Sequence, residues 1–149
     1  MRKLFAGLLC ILAGAFLVSC TGKGPDVPEP DVPEATVKVS FINEVEEADF
    51  WILPQTPEIL KTTLWGTATV AKLGTGSGTE LLLREPEEAG TYIFRAIDEH
   101  KMYYSANDVR ITEGSSIRFV KLNDFETVLV VTGSDGKDIT EYEVFSARL

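Results

Sequence analysis

Cys10 and Cys20 are the only thiols of the chain and His100 is its only imidazole. A thiol can close a disulfide, ligate a metal, act as a nucleophile or accept a covalent lipid. Both cysteines fall in the first twenty residues, so nothing after Cys20 can use the first three of these chemistries. His100 sits beside Asp98 and Glu99 in "DEHK" (98–101) and reads as an exposed turn residue, since a zinc site there would have only carboxylates to complete it. A Ser-His-Asp triad would need a Gly-x-Ser-x-Gly elbow between strand and helix, and that context is missing. "GTGSG" (74–78) has the composition of a phosphate loop, but it leads into the strand-like "TELLLRE", and no Lys-Ser or Lys-Thr follows. The acidic stretches "EPEEAG" (85–90) and "SDGKD" (134–138) lack the calcium-loop order of Asp-x-Asp-x-Asp-Gly and read as solvated turns. Neither an enzyme nor a metal or other cofactor is therefore expected. The residues left for recognition are aromatic: Trp51, Trp65, Tyr103 and Tyr104, which could stack on a sugar or meet a protein. Aromatics in strands are more often core. Because strand neighbours point to opposite faces, one of Tyr103 and Tyr104, and one of Phe50 and Trp51, should lie near the surface.

The elements around Cys20 give its sulfur a use. "MRKLFAGLLCILAGAFLVSC" opens with Arg2 and Lys3, continues through fifteen uncharged residues from Leu4 to Val18, and ends on small residues before Cys20. That is the pattern of an export signal. A spanning helix needs roughly 20 apolar residues, and Gly7 and Gly14 interrupt this shorter run. Leu17-Val18-Ser19-Cys20 resembles the lipobox of bacterial lipoproteins: an aliphatic residue, a small or β-branched residue, a small residue, then cysteine. The resemblance implies cleavage between Ser19 and Cys20, a diacylglycerol thioether on Cys20, and a further acyl chain such as palmitate on its freed amine. Each buried CH₂ contributes about 0.8 kcal/mol, and two or three chains anchor stably where one does not.

Residues 21–35, "TGKGPDVPEPDVPEA", hold four of the seven prolines interleaved with four acids. So little apolar surface cannot pack, and proline keeps the chain extended at about 3.1 Å per residue. The stretch reads as a disordered, semi-rigid tether; a proline-rich ligand would want a flanking arginine that is absent. In lipoproteins that use the outer-membrane sorting route, Asp directly after the cysteine favours inner-membrane retention. Thr21 stands there, and the next residues lack an acidic cluster of the kind linked to surface display. The resemblance thus implies an outer-membrane anchor with the domain in the periplasm.

From residue 36 onward, period-2 alternation dominates. "TVKVSF" sets Val37, Val39 and Phe41 against Lys38 and Ser40, and "SIRFVK" sets Ile117 and Phe119 against Arg118. "DFWIL" (49–53), "TATVAKL" (67–73), "TELLLRE" (79–85), "YIFRAI" (92–97), "ETVLVV" (126–131) and "YEVFSA" (142–147) supply further strands, and Asp135-Gly136 marks a hairpin. A short helix opened by Pro57 is expected over 56–62. The expected fold is all-β: a single antiparallel β-sandwich, immunoglobulin- or transthyretin-like, over residues 36–149. The signal would occupy 1–19 and the lipidated cysteine with its tether 20–35.

"FIN" (41–43), "FWILPQT" (50–56), "LWG" (64–66) and "GTYIFRAID" (90–98) come in an order that resembles small all-β domains of uncharacterised exported bacterial proteins. The resemblance bears on fold and export. The formal charge of −9 becomes −11 beyond Cys20, once the +2 of Arg2 and Lys3 is removed. Such acidity excludes nucleic-acid binding, which needs cationic surface. The sequence thus points to a lipid-anchored envelope protein whose domain is a non-catalytic binding or assembly module for a protein partner, or alternatively a carbohydrate- or peptidoglycan-binding module.

Overall fold

The computed structural model describes residues 34–87 and 90–149; the readings placed on Ser19, Cys20 and residues 21–33 lie outside them. The described chain is all-β with one short helix. In order it runs β1 (Thr36–Asn43), β2 (Ala48–Pro54), α1 (Pro57–Lys61), β3 (Val70–Leu73), β4 (Ser77–Arg84), β5 (Thr91–Asp98), β6 (Met102–Arg110), β7 (Ser116–Asn123), β8 (Glu126–Thr132) and β9 (Ile139–Arg148). No helix among the described residues is long and apolar enough to cross a membrane.

All nine strands join one sheet, ordered β3-β2-β5-β6-β9-β8-β7-β1-β4. The expectation of a single antiparallel sandwich needs two corrections. First, β1 and β7 are parallel, Phe41 opposite Ile117. Alternation shows which face a strand buries but not which neighbour it takes. Second, the sheet is continuous. β9 pairs with β8 up to Val144 and with β6 from Phe145 onward, carrying the ladder around the turn. At the far ends β2 and β4 approach to within 8 Å between Cα atoms without pairing as neighbours. The result is a nearly closed, barrel-like mixed sheet, not clearly divided into the two layers of an immunoglobulin or transthyretin fold.

Inside lies a cluster of four phenylalanines. Phe41, Phe50, Phe94 and Phe119 come from β1, β2, β5 and β7, each at most 1% exposed. Phe41 meets Phe50 edge-on at 4.8 Å, and Phe94 lies 5.0 Å from Phe119. Burying such a side chain contributes about 1.5–3 kcal/mol, so these rings hold the sheet together without any disulfide. The alternation read in β1 and β7 agrees with this: Val37, Val39, Phe41, Ile117 and Phe119 are all buried.

Two strands depart from the sequence expectation. β3 is four residues, not seven, because Thr67–Thr69 approach β2 through a side chain: the Ile52 N–H donates to Thr69 Oγ1 at 3.0 Å. β6 has no counterpart in the sequence reading because Asn107-Asp108 breaks its pattern. The ladder to β5 shifts there, and Asp108 takes a positive φ of 55°. Gln55 holds that irregularity from β2's end, donating to Asp108 Oδ1 (2.6 Å) and accepting from Asp108 N–H (2.8 Å). α1 forms as expected, with Pro57 in its first turn and Thr56 Oγ1 capping the Ile59 N–H at 3.2 Å.

Candidate functional site

The four aromatics singled out in the sequence divide. Tyr104 turns into the core at 7% exposure, edge-on to Phe119 at 5.2 Å, so it is not part of a binding face. Its hydroxyl donates to Asp98 Oδ2 (3.2 Å). Burial, then the Asp98 charge and hydrogen bond, push its pKa up to about 12. Trp51, Trp65 and Tyr103 meet on the outside of β2, β5 and β6. Trp65 lies 5.7 Å from Trp51 and stacks on Tyr103 at 5.8 Å with only 10° between the planes. Since β5 runs between β2 and β6, Trp65 spans the outer face of β5. Trp51 Nε1–H fixes the same loop by donating to Gly66 O at 3.1 Å.

β5, between the strands that carry Trp51 and Tyr103, is buried on both faces from Tyr92 to Ala96. Its outward residues Ile93 and Arg95 are 0% and 6% exposed. The Arg95 guanidinium donates to Phe94 O (2.8 Å), Ala106 O (2.9 Å) and Asn107 Oδ1 (2.7 Å). None of these partners is a carboxylate. Burial lowers its pKa and the neighbouring Tyr103 opposes that, yet arginine stays charged at neutral pH. Asp98 ends the same strand, accepting from the His100 and Met102 N–H groups at 2.9 and 2.8 Å. The "RAID" segment is thereby accounted for structurally: Arg95 clamps β6, Ala96 fills core space, and Asp98 holds the turn.

Sequence reasoning passed over two more buried polar groups. Asn43 is 0% exposed; its Nδ2 donates to Glu46 O and Leu73 O, both at 2.8 Å, and its Oδ1 accepts from Val45 N–H at 3.0 Å. Its carbonyl also accepts from Gly76 N–H, so one residue ties the β1–β2 turn to both ends of the β3–β4 turn. Tyr92 is fully buried with an unpartnered hydroxyl; burial and then the charge on Glu85 raise it to about 12. A residue's type alone gives no sign that an Asn or Tyr will be enclosed in this way. Only the neighbouring apolar run of "GTYIFRAID" hinted at it.

His100 lies in the expected turn, exposed. The structure also brings Glu46 across from the β1–β2 turn, so that ligand atoms of Glu46, Glu99 and His100 lie within 4.8 Å of one another. These are suitable types for a divalent cation, but all three side chains are in solvent and none is oriented by a buried partner. "GTGSG" forms the turn into β4, and Gly76, at φ 75°, needs to be glycine there. In "SDGKD", Asp135 Oδ1 accepts from the Lys137 and Asp138 N–H groups, which lowers its pKa, and Gly136 sits at φ 69°.

Among the described residues, a groove of about 800 Å³ lies along the seam between β4 and the β2–α1 segment. Its apolar wall includes Ile52, Leu53, Ile59, Leu82 and Trp65. Glu58, Glu85 and Glu87 supply negative charge, and among the described residues Arg84 is the one cation lining it. Its size falls within the roughly 300–1,000 Å³ of typical ligand clefts. Compared with known proteins, the chain matches no family model, no curated protein and no solved structure.

Proposed function

We propose that this chain is a lipid-anchored envelope protein, attached through Cys20 to the outer membrane and facing the periplasm, whose β domain is a non-catalytic binding module for a protein partner. The observation that carries the reading is the apolar, acid-rimmed groove at the seam of the sheet. It has room for a ligand, with apolar walls for side chains to fill and Glu58, Glu85 and Glu87 to meet a basic group. The lipobox-like Leu17-Val18-Ser19-Cys20 carries the anchor. Labelled fatty acid should enter the wild-type chain and not Cys20→Ser; equal labelling of both would remove the anchor. A photo-crosslinker placed at Leu53 in the groove should trap a discrete adduct in cells, while one at Lys137, in the β8–β9 hairpin, should not. Equal trapping from both positions would remove the groove as the site.

A glycan-binding reading draws on one feature: Trp65 both lines the groove and has a buried, unpartnered Nε1–H. Against it, the rings of Trp51, Trp65 and Tyr103 are turned toward one another. Quenching of tryptophan fluorescence by soluble peptidoglycan fragments, abolished in Trp65→Phe, would favour the glycan reading over the protein partner.

A further inference from the structure

The groove runs beside a strand whose backbone is unpaired on one side. β4 ends the sheet, with β1 on its inner side and no strand on its outer side among the described residues. The phase of its hydrogen bonds can be fixed. Glu85 N–H donates to Ala35 O at 2.8 Å, and these two residues are opposite in a register that pairs Thr36 with Arg84. In an antiparallel ladder bonded pairs alternate with unbonded ones. Leu81 and Leu83 therefore direct their backbone groups toward β1, while Glu80, Leu82 and Arg84 direct theirs away. β1 agrees from its other side: Lys38 O accepts from Gly114 N–H, and Ser40 N–H donates to Ser115 O.

That outer edge carries Glu80 and Arg84 and approaches β2 to within 8 Å between Cα atoms, with the groove lying between the two at Leu82, Leu83, Arg84 and Glu85. It is eight residues long, carries no proline and shows no register shift against β1. The ion pairs Lys38–Glu80 (3.1 Å) and Arg84–Glu34 (3.3 Å) engage side chains and leave the backbone free. Leu82, between them, is 68% exposed, and exposed Leu60 and Leu64 adjoin the groove-lining Ile59 and Trp65 in sequence. With Arg84 held by Glu34, the charge left along the groove is that of Glu58, Glu85 and Glu87.

We infer that β4 receives an extended segment of a partner protein by strand addition, and that this segment alternates apolar with basic side chains. The inference rests on the groove being the partner site. Backbone groups of Glu80, Leu82 and Arg84 give the added strand its register, apolar side chains cover Leu82 and the groove wall, and Lys or Arg side chains meet the acids.

The test uses the full chain in detergent micelles and two labelled octapeptides, one alternating Val and Lys, the other Val and Glu. The Val/Lys peptide should bind about tenfold or more tighter by fluorescence anisotropy. On binding, amide exchange at Glu80, Leu82 and Arg84 should slow about tenfold, with Leu81 and Leu83, already bonded to β1, unchanged. Leu82→Pro removes one outward N–H without touching the β1 ladder and should weaken binding about tenfold. The exchange pattern in the unaltered protein decides the matter even if that variant misfolds. Binding without protection at those three amides, or with Leu82→Pro unaffected, overturns strand addition; if Ile59→Glu still abolishes it, the groove stands as a site. Binding that neither Leu82→Pro nor Ile59→Glu alters, or no binding of either peptide, overturns both.

Discussion

The two flanks of the sheet end differently. On one, β3 is four residues long, its register to β2 shifts, and Lys72 takes a positive φ of 51° with its N–H donated to Asp49 Oδ1 at 2.8 Å. The strands behind it are covered on their outer face by the Trp51–Trp65–Tyr103 clasp, down to a buried arginine. On the other flank, β4 is regular and twice as long, with one face buried and the other in water. Short, bulged edges resist pairing and long regular ones invite it. The sheet thus has one short, irregular edge and one long, regular edge.

Substitutions can break or sharpen that contrast. The largest effect is expected at Asn43, which holds the end of β3. Asn43→Ala leaves two carbonyls and an N–H without partners in a buried site and should cost about 3 kcal/mol in urea unfolding. A cost below about 1 kcal/mol would mean that the closed edge does not depend on it. Arg95→Met keeps the apolar stem and loses three hydrogen bonds, for an expected cost of about 2 kcal/mol. A neutral result would show that burying the guanidinium costs as much as its bonds return.

Alkaline pH tests the contrast at two buried tyrosines, Tyr104 within the closed flank and Tyr92 beside the groove. Both are raised from 10.0 to about 12, so ionisation favours the unfolded chain. Stability should hold below pH 10 and fall as pH rises from 10 to 12, by up to about 1.4 kcal/mol per pH unit for each tyrosine. Tyr104→Phe should roughly halve the slope; an unchanged slope would place the effect elsewhere. The smallest effect is expected at the open edge. Leu82→Ala should change stability by less than about 0.5 kcal/mol while weakening peptide binding. A loss above about 2 kcal/mol would make Leu82 a packing residue.

The contrast was only half legible in the sequence. β1 and β7 declared their buried faces because one side of each meets water. β5 did not declare its own: "YIFRAI" reads as one apolar face against another carrying Arg95, and nothing local says that this arginine will be enclosed and bonded to Ala106 and Asn107 of β6. β6 was hidden by Asn107-Asp108, whose irregular backbone is stabilised by Gln55, just past the end of β2. Asp135-Gly136 reads correctly as a hairpin because its chemistry is self-contained. The groove was invisible, since it is made by two strands that approach without pairing. Signals carried within a few residues survive in a single sequence, and those created by tertiary pairing do not.

The parallel pair has a consequence for when the domain can form. Ser40 of β1 pairs with Ser116 of β7, seventy-six positions later, and β1's other neighbour, β4, lies beyond residue 76. A chain emerging N-terminus first must hold Val37, Val39 and Phe41 unsatisfied until most of its length has followed. Contacts of such wide sequence separation place folding on the slow, millisecond-to-second side. The sheet therefore cannot be completed around β1 until β7 has been made, which keeps the N-terminal strand available to wrong partners for most of the chain's synthesis.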